Sequence, residues 1–272
     1  MNVVSYFDGM SNGRIALDEL GFDIKSYNAF EIDKYAMSIS NKNYKDIKQN
    51  GSVIDADLSE FIDTDLFIGG SPCQSFSVAG DGTGFEGKSG LFWEFVKAKE
   101  TLKPKYWMLE NVVMKKEWEK VITEILGVEP IKINSADFGA QNRNRLFWTN
   151  IPIDDIDFTN DMTIGDILTT DFSEKTVKDT DRNLRHERTL ERKSLTCTAT
   201  MYKGAGNNGM TLVRREKQTE LSVLNVQEVE KLMNVPSGYT EGVSNSQRYK
   251  MLGNGWTIEV IAHILKKIEI DI

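Results

Sequence analysis

The stretch GGSPCQSF (residues 69–76) sets Cys73, one of the chain's two cysteines, directly after a proline and among glycines, serines and a glutamine. A cysteine kept for packing behaves as a small hydrophobe among apolar neighbours. Cys73 instead follows the short apolar run DLFI at a point where Gly69, Gly70 and Pro72 cannot continue a strand. A side chain at such a strand end projects into the crevice where open α/β sheets keep their ligands. A thiol there can act as a nucleophile, although a free cysteine with pKa near 8.5 is only about 3% thiolate at pH 7 and needs local activation. Two other stretches bring matching chemistry. LENV (residues 109–112) ends an apolar run on Glu110, and QNRNRLF (residues 141–147) carries Arg143 and Arg145 two positions apart, which a strand would place on one face. A cysteine, a carboxylate and two arginines facing one crevice form a nucleophilic site.

The elements that must position them are read from apolar periodicity. NVVSYF, SYNAFE, SVIDAD, DLFIGG, YWMLEN, VEPIKINSA and RLFWTN read as strands, with SVIDAD the third and ending near Asp57. RIALDEL, DKYAMSISNKNY, GLFWEFVKAKETL and WEKVITEILG alternate with them as helices. Strand and helix repeated in this order imply an α/β fold with a mostly parallel sheet and helices on both faces. From about residue 150 to 220 the pattern is lost in polar stretches such as TTDFSEKTVKDTDRN and KGAGNNG. It returns in NVQEVEKLMNV, where Asn225 can cap a helix, and in the apolar WTIEVIAHILKKI. The expected organisation is a catalytic and cofactor-binding domain over 1–150, a small recognition region over 151–220, and helices over 221–272 that return to the first domain.

Two turns at strand ends point to a cofactor. FDGMSNG (residues 7–13) follows the first strand, where glycines let the backbone approach a ligand ahead of a helix N-terminus. Glu31 ends the second strand, where a carboxylate binds the hydroxyl pair of a ribose. The turn lacks the G-x-G-x-x-G spacing of a dinucleotide site, which favours S-adenosylmethionine over NAD.

Composition narrows the class further. With 272 residues, 40% hydrophobic and 27% charged, the chain is an ordinary globular protein. No apolar run reaches the roughly 18 residues that span a bilayer, and MNVVSYFDG has no signal-peptide pattern, so a cytoplasmic protein without membrane contact is expected. Cys73 and Cys197 form no disulfide framework, and with only His186 and His263 there is no metal-ligand spacing, so no metal is expected. The net charge of −8 argues against nucleic-acid binding by the whole surface. Six aspartates and no Lys or Arg lie between Asp154 and Asp171, whereas basic residues outnumber acidic ones from Lys175 to Lys217, a local patch suited to phosphate contacts.

Together these motifs resemble the DNA (cytosine-5)-methyltransferases over nearly the whole chain and in that family's order. FDGMSNG is similar to the cofactor loop, SPCQSF to the nucleophile loop, ENV to the acid strand and QNRNR to the Q-x-R-x-R motif. RKSLTCTAT (residues 192–200) is similar to the segment that shapes the recognition module, and RYKMLGNGWTIEVIAHIL (residues 248–265) to the closing motif. FDG, GLFWEFVKA, ENVV and GNGWTIEVI look closer to the de novo type of eukaryotes. The resemblance implies a Rossmann-like S-adenosylmethionine-dependent methyltransferase fold with a small target-recognition module. It departs from the pattern at Ser11, where the family has a second glycine, and in a short recognition region (about residues 152–191), from which a target of two to four bases is expected.

By that resemblance Cys73 is the nucleophile, placed by Pro72, while Glu110 holds the N3 and exocyclic amino edge of a cytosine. Arg145 binds its O2 side, and Arg143 supports the nucleophile and phosphate contacts. Phe7, Gly9, Met10 and Gly13 surround the methionine end of S-adenosylmethionine, Glu31 the ribose and Asp57 the adenine amino group, with Pro72, Leu91, Asn254 and Trp256 completing the pocket. Gln74, Ser77, Gln141, Arg192 and Lys193 are expected on double-stranded DNA, and the glycine-rich stretch 78–90 as a lid over a flipped base. Cys197 is expected to be structural. The protein is expected to be a monomer, bacterial or phage-encoded, in restriction-modification or the marking of phage DNA. A tRNA cytosine-5 methyltransferase shares this catalytic set, although no Cys-Phe-Thr signature of that branch is present. A catalytically inactive DNA-binding homologue is the other alternative, opposed by the intact Cys73, Glu110 and Arg145.

Overall fold

The computed structural model describes residues 1–54, 56–72, 90–173, 175–204 and 209–269. Cys73, Gln74, Ser77 and the glycine-rich stretch up to residue 89 lie outside the described residues. The chain divides into two compact units, one made of residues 1–133, 144–154 and 261–272, the other of residues 134–143 and 155–260. This division differs from the one periodicity suggests. The first unit ends its opening run at residue 133, and of the closing helices only the residues from 261 onward belong to it.

Among the described residues of the main sheet there are seven strands. They are β1 (Asn2–Tyr6), β2 (Ser26–Phe30), β3 (Ile47–Gln49), β4 (Leu66–Gly70), β5 (Tyr106–Val112), β6 (Ile131–Asn134) and β7 (Asn144–Thr149), in the order β3-β2-β1-β4-β5-β7-β6. The pairs β1–β2, β1–β4, β2–β3 and β4–β5 are parallel, and β5–β7 is antiparallel. The carboxyl ends of β1, β2, β4 and β5 therefore share one edge, with Tyr6 opposite Phe30 and Gly69, and Gly70 opposite Glu110.

The helices α1 (Asn12–Glu19), α2 (Lys34–Asn43), α3 (Leu91–Leu102) and α4 (Lys116–Leu126) match their expected places. The inward stripe of α3, Phe92, Phe95, Ala98 and Leu102, joins Ile122 and Leu126 of α4 against Val4, Tyr6, Phe67, Leu109 and Trp148. The Phe67 and Phe95 rings stack at 4.5 Å. Gly69 is what lets this contact close, since a Cβ there would lie 3.0 Å from the Phe95 ring and 3.2 Å from the Tyr6 carbonyl oxygen.

The third strand is a correction. It is Ile47–Gln49, and the described residues of SVIDAD form no strand. Val53 is buried in the core all the same and Ala56 packs against it, both from a loop, while Ile54 is exposed.

The second unit contains a small antiparallel sheet, β8 (Thr176–Val177), β9 (Leu212–Val213) and β10 (Leu221–Val223), in the order β8-β10-β9. Its helices are the single turns α5 (Ile164–Ile167) and α6 (Asp181–Leu184), then α7 (Val226–Leu232) and α8 (Asn245–Asn254). Asn225 caps α7 in a reciprocal capping box with Glu228. Glu228 also receives both terminal nitrogens of Arg215, at 2.7 and 2.8 Å, and neither side chain is exposed. Arg215 donates further to Ser222 Oγ and to the carbonyls of Thr170 and Val223, so the buried charges are hydrogen-bonded on all sides. A last helix, α9 (Ile258–Leu265), spans the boundary between the two sets of residues.

Candidate active site

The turn after β1 has an unusual backbone. Phe7, Gly9 and Ser11 have φ of +57°, +61° and +66°, the left-handed region that side chains other than glycine rarely adopt. Asp8 is buried between them, and its N–H donates to the Phe30 carbonyl at the end of β2. Its carboxylate accepts from Ser11 Oγ at 2.5 Å and from the Tyr27 hydroxyl at 2.7 Å. Burial pushes the Asp8 carboxyl up to about 6, against the pull of those two hydroxyls. Met10 is buried and Gly13 lies in the first turn of α1.

The structure joins this turn to Glu31. Gly9 N–H donates to Glu31 Oε2 at 2.8 Å, while Oε1 accepts from the N–H groups of Ile32 and Asp33 at 2.7 and 2.8 Å. Three backbone donors fix a half-buried carboxylate at the strand end, with lone pairs remaining for a ligand's hydroxyls. Asp57 is exposed and accepts from Ser59 N–H at 3.0 Å, a bond that holds its carboxyl below the usual range. Glycine turn, fixed carboxylate and exposed carboxylate fit an adenosine-containing cofactor by donor chemistry. Pro72 is half-buried beyond β4, and Leu91 opens α3 against the core.

At the next strand ends, Asn111 Nδ2 donates to the Ser71 hydroxyl at 3.0 Å and to its carbonyl at 3.3 Å. Asn111 Oδ1 accepts from Val112 N–H, and the side chain is 1% exposed. This asparagine, not singled out from sequence, ties β5 to the residue two positions before Cys73. One residue earlier, Glu110 Oε1 lies 2.9 Å from Arg145 Nε, and both side chains are largely buried.

Arg143 departs from expectation. It precedes β7 and belongs to the second unit, whereas Arg145 belongs to the first, so the two do not alternate on one strand face. The Arg143 guanidinium is 3% exposed and donates to the carbonyls of Cys197, Gly253 and Gly255, at 2.7, 3.1 and 2.9 Å. It thereby holds both sides of Asn254, an exposed residue that ends α8, next to the half-buried Trp256. Gly253 lets the Thr198–Ala199 backbone pass close to α8, because a Cβ there would come within 2.2 Å of Thr198.

Two residues expected on DNA have partners within the second unit. Gln141 is fully buried, its amide bonded to Leu232 O, Met233 Sδ and Cys197 N–H inside the second unit. Lys193 spends its ammonium on the carbonyls of Gly139 and Asn160. Arg192 is exposed. Cys197 is buried, and burial pushes its thiol up to about 12, which suits packing and not nucleophilic attack.

Among the described residues no cluster of His, Cys, Asp and Glu could hold a metal ion, and no helix is long and apolar enough to cross a membrane.

The family model for the C-5 cytosine-specific DNA methylase matches residues 1–180 and 154–270. The chain is 26% identical over 306 residues to the type II methyltransferase M1.ScrFI of Lactococcus lactis subsp. cremoris, covering 98% of this chain and 77% of that one. It is 25% identical over 303 residues to the type II methyltransferase M.NlaX of Neisseria lactamica, covering 98% and 96%. Among solved structures, the Entamoeba histolytica methyltransferase EhMeth superposes with a TM-score of 0.80 over 98% of this chain and 97% of that one, at 18% identity, a likeness of fold.

Proposed function

For a chain that belongs to the C-5 cytosine-specific DNA methylase family, we propose that the reaction is methyl transfer from S-adenosylmethionine to C5 of a flipped-out cytosine in double-stranded DNA, through a covalent adduct between Cys73 and C6. The family assigns it to the cytosine-C5 methyltransferases and implies S-adenosylmethionine as methyl donor. The observation that carries the finer reading is the buried Glu110–Arg145 pair beside a residue, Ser71, that Asn111 anchors two positions before Cys73.

The C5 carbon of cytosine is a poor nucleophile. The Cys73 thiolate adds to C6, forming the S–C6 bond and moving the electron pair of the C5–C6 double bond to C5. Glu110 holds the N3 and amino edge of the base and stabilises charge as the adduct forms, and Arg145 holds the O2 side. When bound, the donor supplies a methyl group on a sulfonium, whose departing thioether takes the bonding pair. A base then removes the C5 proton, the double bond re-forms and the S–C6 bond breaks, which returns the thiolate. Flipping the cytosine costs a few kcal/mol, offset by contacts in the pocket. The stretch 78–90 acts as lid, and Gln74, Ser77 and Arg192 act on the DNA.

Gly9, Glu31 and Asp57 hold the donor, with Phe7, Met10, Gly13, Pro72 and Leu91 around it, and the resemblance of the closing motif adds Asn254 and Trp256 to the cofactor residues. DNA is favoured over tRNA by the family's description and by two type II methyltransferase relatives. The protein works as a monomer in a bacterial cytoplasm.

The test incubates the protein with duplex DNA, a structured RNA and methyl-labelled S-adenosylmethionine, alongside Cys73→Ala, and reads 5-methylcytosine by sequencing. Label in DNA cytosines that is lost in the variant supports the reading. Label only in RNA moves the substrate to tRNA, and label unaffected by Cys73→Ala removes the covalent step.

A further inference from the structure

We propose that Ser11 is a positioning residue for the cofactor turn, holding it in a left-handed backbone conformation through a buried hydrogen-bonded chain that replaces the freedom of a glycine. The inference rests on the cofactor assignment above and concerns a residue with no role in it so far.

Ser11 has φ +66° and ψ +43°, a conformation in which an L side chain crowds the following carbonyl. It immediately precedes α1, where a serine ordinarily turns its hydroxyl to the helix's free N–H groups. Here the hydroxyl makes no capping bond. It points to Asp8 Oδ2 at 2.5 Å and meets Ser40 Oγ at 2.6 Å, and Ser11 itself is completely buried.

The proton directions follow from the partners. The Asp8 carboxylate can only accept, so Ser11 donates to it. Ser40 must then donate to Ser11, and Gln49 Nε2 donates to Ser40 Oγ at 3.0 Å. Tyr27 donates to the other Asp8 oxygen. The chain thus runs from Gln49 through Ser40 and Ser11 to Asp8, with each hydroxyl donating once.

What this fixes is the direction of Gly9. Asp8 and Ser11 flank Gly9 and Met10, Ser11 N–H donates back to the Asp8 carbonyl, and Gly9 N–H points to Glu31 Oε2. Loss of the Ser11 hydroxyl leaves a left-handed residue held by its backbone bonds alone, so the turn relaxes and Gly9 swings away from Glu31. A glycine at this position adopts the conformation without help.

The test measures S-adenosylhomocysteine binding by calorimetry, with KM for S-adenosylmethionine and kcat, in the wild type, Ser11→Ala and Ser11→Gly. The expected result is a roughly tenfold weaker Kd and higher KM in Ser11→Ala, kcat within about twofold, and recovery of most of the affinity in Ser11→Gly. Asp8→Asn, whose amide offers one acceptor to two hydroxyl donors, should weaken binding as Ser11→Ala does. Wild-type binding with an unchanged Ser11→Ala, or a Ser11→Gly as weak as Ser11→Ala, would overturn the role of Ser11 and leave the cofactor site standing. A wild-type protein that binds no S-adenosylhomocysteine would overturn the cofactor assignment and this inference with it.

Discussion

Arg145 Nε lies 2.9 Å from Glu110 Oε1, although neither residue is directly opposite the other in the sheet. Arg145 faces Val112 across the antiparallel pair, and Glu110 faces Phe147. The pair is a diagonal one on a single sheet face, within reach of a long side chain. The antiparallel turn of β7 against β5 therefore brings an arginine from later in the chain back to the acid at the strand end.

Glu110→Gln keeps the shape of the side chain and removes its charge. We expect kcat to fall about 10²–10⁴-fold, the usual weight of a group assisting charge development, with the far-ultraviolet spectrum unchanged. Methyl-transfer rates beside a thermal melt check it. A variant as active as the wild type would remove Glu110 from the chemistry.

Arg143→Ala should act first on stability. Two buried carbonyls and a part-buried one lose their donor, and the cost is about 3–5 kcal/mol, read from urea unfolding. A loss below about 1 kcal/mol would mean that water or a neighbour serves those carbonyls equally well.

Asp8 gives a pH dependence with a definite sign. Burial raises its carboxyl from 3.8 to about 6, so the folded chain holds this proton more tightly than the unfolded one. The stability it contributes is complete below about pH 3.8 and is lost as the pH rises through about 6, a change of about 3 kcal/mol. Asp8→Asn cannot titrate. The stability difference, wild type minus variant, should fall across that window and stay level above about pH 7. A difference independent of pH would refute the buried titration.

Gly69→Ala and Gly253→Ala should separate by severity. The first asks the Phe95 ring to yield a few tenths of an ångström and should cost about 1–3 kcal/mol. The second drives a Cβ into the Thr198 backbone and should cost more than about 3 kcal/mol or prevent folding. Melting temperatures in that order check both, and equal melting temperatures would contradict the geometry.

The strands β1, β2, β4, β5 and β7 are legible as apolar runs bounded by Gly, Asp or Asn, and the helices between them by their spacing. The third strand is not legible, because Ile47 is its only apolar residue and its pairing with Tyr27–Ala29 holds it in place. The second unit hides for another reason. Up to α7 its buried apolar residues, such as Ile164, Leu212 and Leu221, sit in single-turn helices and strands of two or three residues, too short to show a period.

At the site, the residue types were visible and the partners were not. Gln141 and Lys193 look like surface residues by type, yet the amide and the ammonium satisfy buried backbone groups. Nothing in ENV announces that its asparagine holds Ser71. The serine at position 11 did carry a signal, because a side chain where a tight turn wants glycine needs something to hold it.

The chain leaves the first unit at residue 133, returns for residues 144–154, and comes back again at residue 261. Strand β7, which sits between β5 and β6, belongs to the middle visit. On the ribosome the nascent first unit must wait: its sheet lacks β7 until residue 149 has emerged, and its final segment until the whole of the second unit has been made. The part begun first is the part finished last.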